Sequence, residues 1–490
     1  MTDLLTLGAL DLARHIAAGD VSAYDAVCAH IARIERVNPS LNALVADRFD
    51  HAIAEARLAD EAFARGEPVG PLHGVPFTVK ETLAVNGLPH TAGSASRTAV
   101  HATHDATSVA RLMGAGAIPL GVSNTSELGL WVETDNRVWG RTNNPWDPRR
   151  TAGGSSGGDA ALVAASGTPI ALADDSVGSN RIPAAFCGVF AHKPTGGLVP
   201  LTGRYPVVYG KARRYTTVGP ITRTADDLAP LLELLRGADG IDRGVLPIEV
   251  GSPADVDFTW KRVVICEDPG MPGVTPSREV RRAVRRAAEL LEDRGAEVEE
   301  WRPRQFRHAA DIWLSLHHEA WGMNHSFRDV LAEGDRLFLP LEFLRLATGR
   351  SRHTMPTLGL ALTERFTRGA IARIQRFCAE GRRLRTRLNT VLGEGGVMLM
   401  PAWPTTAPKH GRTLRHPKHV VYAAIHNVLE LPVTTVPMGL GRDGLPLGVQ
   451  VVGAHGGDAV TIAAAQVLEA GAGGWRAPRL RQMRQAEPGL

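Results

Sequence analysis

The chain has 490 residues and a mass of 52.4 kDa, enough to bury a large core. Its 55 Lys and Arg against 51 Asp and Glu leave a net charge of +4, too little for this length to mark a nucleic-acid binder. With 44% hydrophobic and 22% charged residues, it is neither disordered nor collagen-like.

Residues 1–20 carry no basic n-region and no long apolar run, so no signal peptide is expected. No run of 18 apolar residues is free of charge, Gly and Pro, so no membrane-spanning helix is expected either. Ser22 and Asp25 read as a capping box that opens a helix. Val27, Ile31 and Ile34 continue it on one face, and Asn38-Pro39 should end it. Residues 52–64 are helical, 77–80 a short strand, 108–113 a helix stopped by Gly114, and 117–122 the next strand. Small residues make a helix of 160–165. Leu228, Leu231, Leu232 and Leu235 share one face of a helix near 226–235. Residues 262–266 form a buried strand, 280–291 an amphipathic helix ended near Gly295, and 296–301 a strand. Residues 302–390 are Arg-rich and largely helical. Apolar runs at 397–400, 433–436 and 449–452 are late strands. Alternating strands and helices argue an α/β fold. Without a repeat or linker, one domain over 1–490 is expected: N-terminal helices to 65, a core at 66–235, a less regular helical part at 240–390, and strands at 391–470 completing the core. Cys28, Cys187, Cys266 and Cys378 stand apart with no CxxC pair. They suit a reducing compartment, so a cytoplasmic protein is expected.

The densest signal is Thr151-Ala152-Gly153-Gly154-Ser155-Ser156-Gly157-Gly158. Such a tract reads as a flexible loop. It lacks the patterns of a phosphate cradle. GxSxG fits it twice, on Ser155 and on Ser156, but the preceding Pro145 and Pro148 argue against the strand a nucleophile elbow needs. A fourth reading adds Lys80, after Gly74-Val75-Pro76-Phe77-Thr78-Val79, and Ser179, within Asp174-Asp175-Ser176-Val177-Gly178-Ser179-Asn180-Arg181. Lys80 lies 75 residues before Ser155, and Ser179 lies 24 after it.

With these residues and spacings the sequence resembles the amidase signature family. Further matches run through Ala185-Phe186-Cys187-Gly188, His192-Lys193-Pro194-Thr195, Val218-Gly219-Pro220-Ile221 and Gly444 to Gln450. They cover most of the chain and thin out between about 240 and 390. The resemblance implies a large twisted mixed β-sheet covered by α-helices on both faces. It implies hydrolysis of a carbonyl C–N bond: a primary or aryl amide, an acylhydrazide or a carbamate. Ser179 would be the nucleophile that carries the acyl group, Ser155 on a cis peptide the bridge, and Lys80 the base and then the acid. Backbone N–H groups of Ser176, Val177, Gly178 and Ser179 would hold the oxyanion. Asp175 and Arg181 would orient the turn, or be a plain structural ion pair. No metal or organic cofactor is implied. The partner is a small amide-type molecule, not nucleic acid or membrane, and family habit implies a homodimer.

The demand falls on Lys80. A free lysine, with a pKa of about 10.4, is charged at neutral pH. Burial favours the neutral amine that a base requires. Alone, Lys80 reads rather as a surface partner of Glu81 or another acid.

The sequence departs from the family pattern in three places. Val177 replaces the first Gly of the nucleophile motif, Asn180 an aliphatic residue, and Ala191 a Gly. Val177 is strained if its φ is positive and otherwise only crowds the site. Other readings stay open. One is the glutaminase subunit of a tRNA-dependent amidotransferase, which typically carries Gln where Ile182 stands. Another is a non-catalytic binding protein on this scaffold. A third is an α/β-hydrolase using Ser155 or Ser156. His101, His104, His317 and His318 invite a metal that no ligand spacing supports. Trp313, Trp321, Phe343 and Trp403 are candidates for a pocket wall or for core.

Overall fold

The computed structural model describes residues 3–67, 69–321, 326–367 and 371–479. Thirteen strands occur among these residues: β1 (Leu44–Asp47), β2 (Pro76–Lys80), β3 (Ile118–Ser123), β4 (Asp135–Asn136), β5 (Gly140–Arg141), β6 (Ile170–Asp175), β7 (Phe190–Lys193), β8 (Thr217–Thr222), β9 (Arg262–Ile265), β10 (Glu297–Glu300), β11 (Val397–Pro401), β12 (Val433–Leu440) and β13 (Pro446–Gly453). Eleven form one sheet in the order β1-β3-β2-β6-β8-β7-β12-β13-β11-β9-β10, and β4 and β5 make a separate hairpin. The sheet is mixed. β2 runs parallel to β3 and β6, and β9 parallel to β10 and β11. β6, β8, β7, β12 and β13 run antiparallel to one another in turn.

Successive side chains of a strand point to opposite faces. Here they enter two different apolar clusters. Val263, Val397, Leu399, Val449 and Val451 join the larger one, while Val264, Met398, Met400 and Val452 join the other. The sheet is therefore covered on both faces. The helix Arg278–Glu292 packs Val284, Ala287 and Leu291 into the first cluster. Ile312 and Leu316 of Ala309–Trp321, with Leu384 and Leu388 of Ile371–Leu392, fill the second. At the margin, β10 exposes Glu297, Glu299 and Glu300, and like charges along an edge discourage pairing with another chain.

Several boundaries differ from expectation: the helices expected from 52 and 160 begin at Phe49 and Gly157, and the strands expected at 433–436 and 449–452 run Val433–Leu440 and Pro446–Gly453. The Ser22-capped helix runs Ala23–Leu41, through Pro39. Proline costs the helix its own N–H and crowds the carbonyl four residues back, yet the helix continues past it, and the real stop is Asn42, left-handed at φ +49°, whose N–H returns to Asn38 O at 2.7 Å.

Candidate active site

Lys80 ends β2 and Asp174-Asp175 end β6, its parallel neighbour. Both therefore emerge at the carboxyl edge of the sheet, where open α/β sheets place their sites. The Gly/Ser tract leads into the helix Gly157–Ala164 and brings Ser155 to the same edge. The turn after β6 carries Ser179 into the helix Arg181–Cys187. Lys80, Ser155 and Ser179 are all buried.

Lys80 Nζ donates to Ser155 Oγ at 2.7 Å and to the Asp174 carbonyl at 3.2 Å, and lies 2.5 Å from Asp174 Oδ1. Those three acceptors match the three N–H groups of an ammonium. Asp174 Oδ1 also accepts from Thr82 Oγ1 at 2.9 Å, and Oδ2 from Arg204 Nε at 2.5 Å. Burial pushes the Asp174 carboxyl up, but Arg204 and Lys80 outweigh it and hold the group well below the usual carboxylate range. Glu81 is not the partner of Lys80. Its carboxylate turns to the N–H groups of Thr91 and Gly93 at 2.7 and 3.0 Å, and burial raises it to about 7.

Ser155 follows a cis Gly154–Ser155 peptide. Thr134 Oγ1 fixes this loop by donating to Gly153 O and Ser155 O at 2.9 and 3.1 Å. The Ser156 N–H reaches Ser179 O at 3.2 Å, and Ser156 Oγ reaches Asn180 Oδ1 at 3.1 Å. Asn180 thus faces the Gly/Ser loop, where its amide has a partner. The Ser179 hydroxyl makes no hydrogen bond among the described residues.

Beneath the nucleophile turn, Arg181 uses all five of its N–H donors. Nε and Nη2 fork onto Asp175 at 2.9 and 3.0 Å. Nη1 reaches Ala423 O and Gln450 Oε1 at 3.0 and 2.8 Å, and Nη2 also reaches Asn427 Oδ1 at 2.6 Å. Asn427 Nδ2 returns to Asp175 Oδ1 at 3.0 Å. Burial opposes ionisation of Asp175, yet Arg181 and Asn427 hold its carboxyl well below the ordinary range. Asp175 in turn accepts the N–H of Gly178 at 2.7 Å and that of Asn180 at 3.2 Å. The Gly178 N–H, expected to face an oxyanion, is therefore directed at a carboxylate.

The left-handed residue of the turn is Gly178, at φ +107°, where a Cβ would fall 2.5 Å from Ala423 Cβ. Val177 is not among the residues with positive φ, so it carries no such strain. Its side chain, with Ser176, lines a cavity of about 840 Å³. Leu130, Val207, Phe306, Trp313 and Val330 make much of the wall, which is mainly apolar. The size is toward the upper end of the ~300–1,000 Å³ typical of small-molecule pockets.

Trp313 is therefore a wall residue. Trp403 instead packs edge-on to Phe186 at 5.7 Å, and Phe343 is not part of the wall. The Trp321 side chain lies outside the described residues. His317 stacks on Tyr215, and burial lowers it to about 4. No cluster of three or more potential metal ligands occurs among the described residues. Sequence reasoning did not single out Asp174 as a partner of Lys80, nor Thr82, Arg204 or Asn427. The Asp-Asp pair closing an apolar run was the signal for Asp174. The other three are brought in by folding alone.

The Amidase family model matches residues 25–462. The chain is 38% identical to human (Homo sapiens) fatty-acid amide hydrolase 2 over 97% of its own length and 91% of that protein. It is 32% identical to an acylamidase of Rhodococcus erythropolis, over 95% of each chain. A glutamyl-tRNA(Gln) amidotransferase component from Lachnospira eligens is also 32% identical, over 92% of this chain and 95% of that one. Among solved structures the chain resembles 6-aminohexanoate cyclic dimer hydrolase complexed with substrate, at TM-score 0.80 and 25% identity, covering 98% of this chain and all of that one.

Proposed function

The chain belongs to the amidase signature family, and from that premise we propose how it cleaves an acyl C–N bond with Lys80, Ser155 and Ser179. The buried 2.7 Å contact of Lys80 Nζ with Ser155 Oγ, beside the Ser179 turn, carries the assignment. Ser179 Oγ attacks the carbonyl carbon and passes its proton through the Ser155 hydroxyl to Lys80. The tetrahedral oxyanion takes hydrogen bonds from turn N–H groups. Gly178 gives its own to Asp175, so Ser176, Val177 and Ser179 are the assigned donors. As the C–N bond breaks, the leaving nitrogen takes the proton back from Lys80 by the same route. Water then cleaves the acyl ester on Ser179 and regenerates the serine. Lys80 must alternate between charged and neutral forms, and Asp174 is the fixed charge beside it.

The mainly apolar cavity selects the substrate class: amides with a long aliphatic or aryl-substituted acyl group. Each buried methylene contributes about 0.8 kcal/mol, close to fourfold in binding. The matching experiment measures kcat/KM for one arylamine leaving group on acyl chains from acetyl to octadecanoyl. A rise with chain length until the cavity is filled is expected. A flat or falling series contradicts the assignment of the cavity, and no arylamine release from any member contradicts the hydrolase. All four cysteines are free, which supports a reducing, cytoplasmic setting. No described helix is long and apolar enough to cross a membrane.

A further inference from the structure

One buried carboxylate outside the relay joins two distant parts of the chain. Glu127, 1% exposed, lies in the loop after β3. Its Oε1 is 2.7 Å from His353 Nδ1, and its Oε2 accepts from the Thr354 N–H at 2.7 Å and Thr357 Oγ1 at 2.8 Å. All three partners belong to the start of the helix Met355–Thr367 or to the two residues before it. A negative charge suits that position, where unpaired N–H groups give a helix its positive end.

On its other side Glu127 leads directly to the relay. Leu128 follows with a left-handed backbone at φ +53° and Gly129 at φ +69°. Gly129 lies against the bridging serine: a Cβ there would sit 3.6 Å from Ser155 Oγ. The neighbouring Ser126 N–H donates to Ser155 O at 3.3 Å. Leu128 and Gly129 are cavity wall, and so is Leu360, one turn beyond Thr357. The carboxylate therefore ties a wall helix to the backbone that touches Ser155. Glu333 makes the reverse connection, from the helical side to the core. It accepts from Ser94 Oγ at 2.6 Å and Tyr205 OH at 2.7 Å. Between the two clasps, Leu331, Leu337 and Ala361 pack on Ala92 and Leu128.

We propose that Glu127 is a positioning residue that sets the preference for long acyl chains, by docking the helix Met355–Thr367 against the Ser155 loop. The inference rests on the amide-hydrolase reading above. Glu127 touches no reacting atom. It fixes how far the Leu360 side of the cavity stands from the relay. A short acyl group, held near Ser179, does not reach that wall.

The test compares butanoyl and dodecanoyl p-nitroanilides on wild type, Glu127→Gln and Thr357→Val. Gln places an N–H₂ where one carboxylate oxygen accepted, so at least one arm of the clasp opens. The expected result for Glu127→Gln is a rise in KM for the long substrate of about tenfold or more. Its kcat, and both constants for the short one, should stay within about threefold. Thr357→Val removes one arm and should shift the same ratio in the same direction, by less. Equal losses on both substrates, or an unchanged long-to-short ratio in either variant that folds, overturn the proposal. If wild type cleaves neither substrate, the hydrolase reading fails by itself. Amide hydrogen exchange then decides the clasp separately: faster exchange over 355–362 in the variants supports it, and unchanged exchange overturns it.

Discussion

Two regions meet at the cavity, and they are held together differently. Behind Ser179, charges are matched inside the core: Arg181 gives five hydrogen bonds to Asp175, Asn427, Gln450 and Ala423, from three separate segments of the chain. Over the cavity, the helices of 326–367 join the core through Glu127, Glu333 and a small apolar cluster. Among the described residues, the ion pair within this second region, Arg345 with Glu342, leaves its guanidinium half exposed. The contrast separates two tasks. The nucleophile turn has one geometry that a buried network over-determines. The opposite wall is attached at a few points, where changes alter the space offered to a substrate and leave the relay in place.

Breaking one ion pair in each region should show the difference first. Asp175→Asn leaves the Arg181 guanidinium buried and short of its counter-charge, a defect that costs about 3–5 kcal/mol. Arg345→Ala opens a pair whose guanidinium is half exposed, leaves Glu342 its Ser351 hydroxyl partner, and should cost less than about 1 kcal/mol. Urea unfolding of both variants measures the gap, and similar losses would erase the distinction.

A smaller effect sharpens the account of the buried network. Lys193, fully buried with its Nζ on Pro194 O at 2.6 Å, is pushed down to about 7 by burial first and then by Arg181. An unfolded lysine titrates near ~10.4. Between about pH 7 and 10.4 the unfolded chain binds the more protons, so stability rises with pH across that window. Below it the cost of charging Lys193 is fully present. Lys193→Met should therefore stabilise the protein most at or below pH 7, with the gain over wild type shrinking toward pH 10. Melting temperatures across that range check the sign, and a gain that grows with pH would contradict it.

Much of this was legible in the sequence for physical reasons. Leu228, Leu231, Leu232 and Leu235 announce their helix by spacing, and all four are buried. The late strands read as short apolar runs because both their faces are covered. By contrast, β1 and β8 gave little signal: β1 has only four residues, and β8 is interrupted by Gly219 and Pro220. Lys80, Ser155 and Ser179 stood out as a set with family spacing, and folding brings all three to one sheet edge. What surrounds them was hidden. Arg204, Asn427 and Glu127 are ordinary polar residues until the chain closes over them, and their partners lie 30, 246 and 226 residues away. Val177 shows the reverse case. Its departure from the motif suggested strain, yet the left-handed bend falls one residue later, on Gly178.

The relay can be tested most directly by intact-protein mass after exposure to an alkyl fluorophosphonate, which transfers its phosphonyl group to an activated serine with loss of fluoride. Wild type should gain one adduct. Ser179→Ala should gain none, and Ser155→Ala and Lys80→Ala should gain it more slowly. An adduct that persists in Ser179→Ala and disappears in Ser155→Ala would move the nucleophile to the Gly/Ser loop and contradict the account.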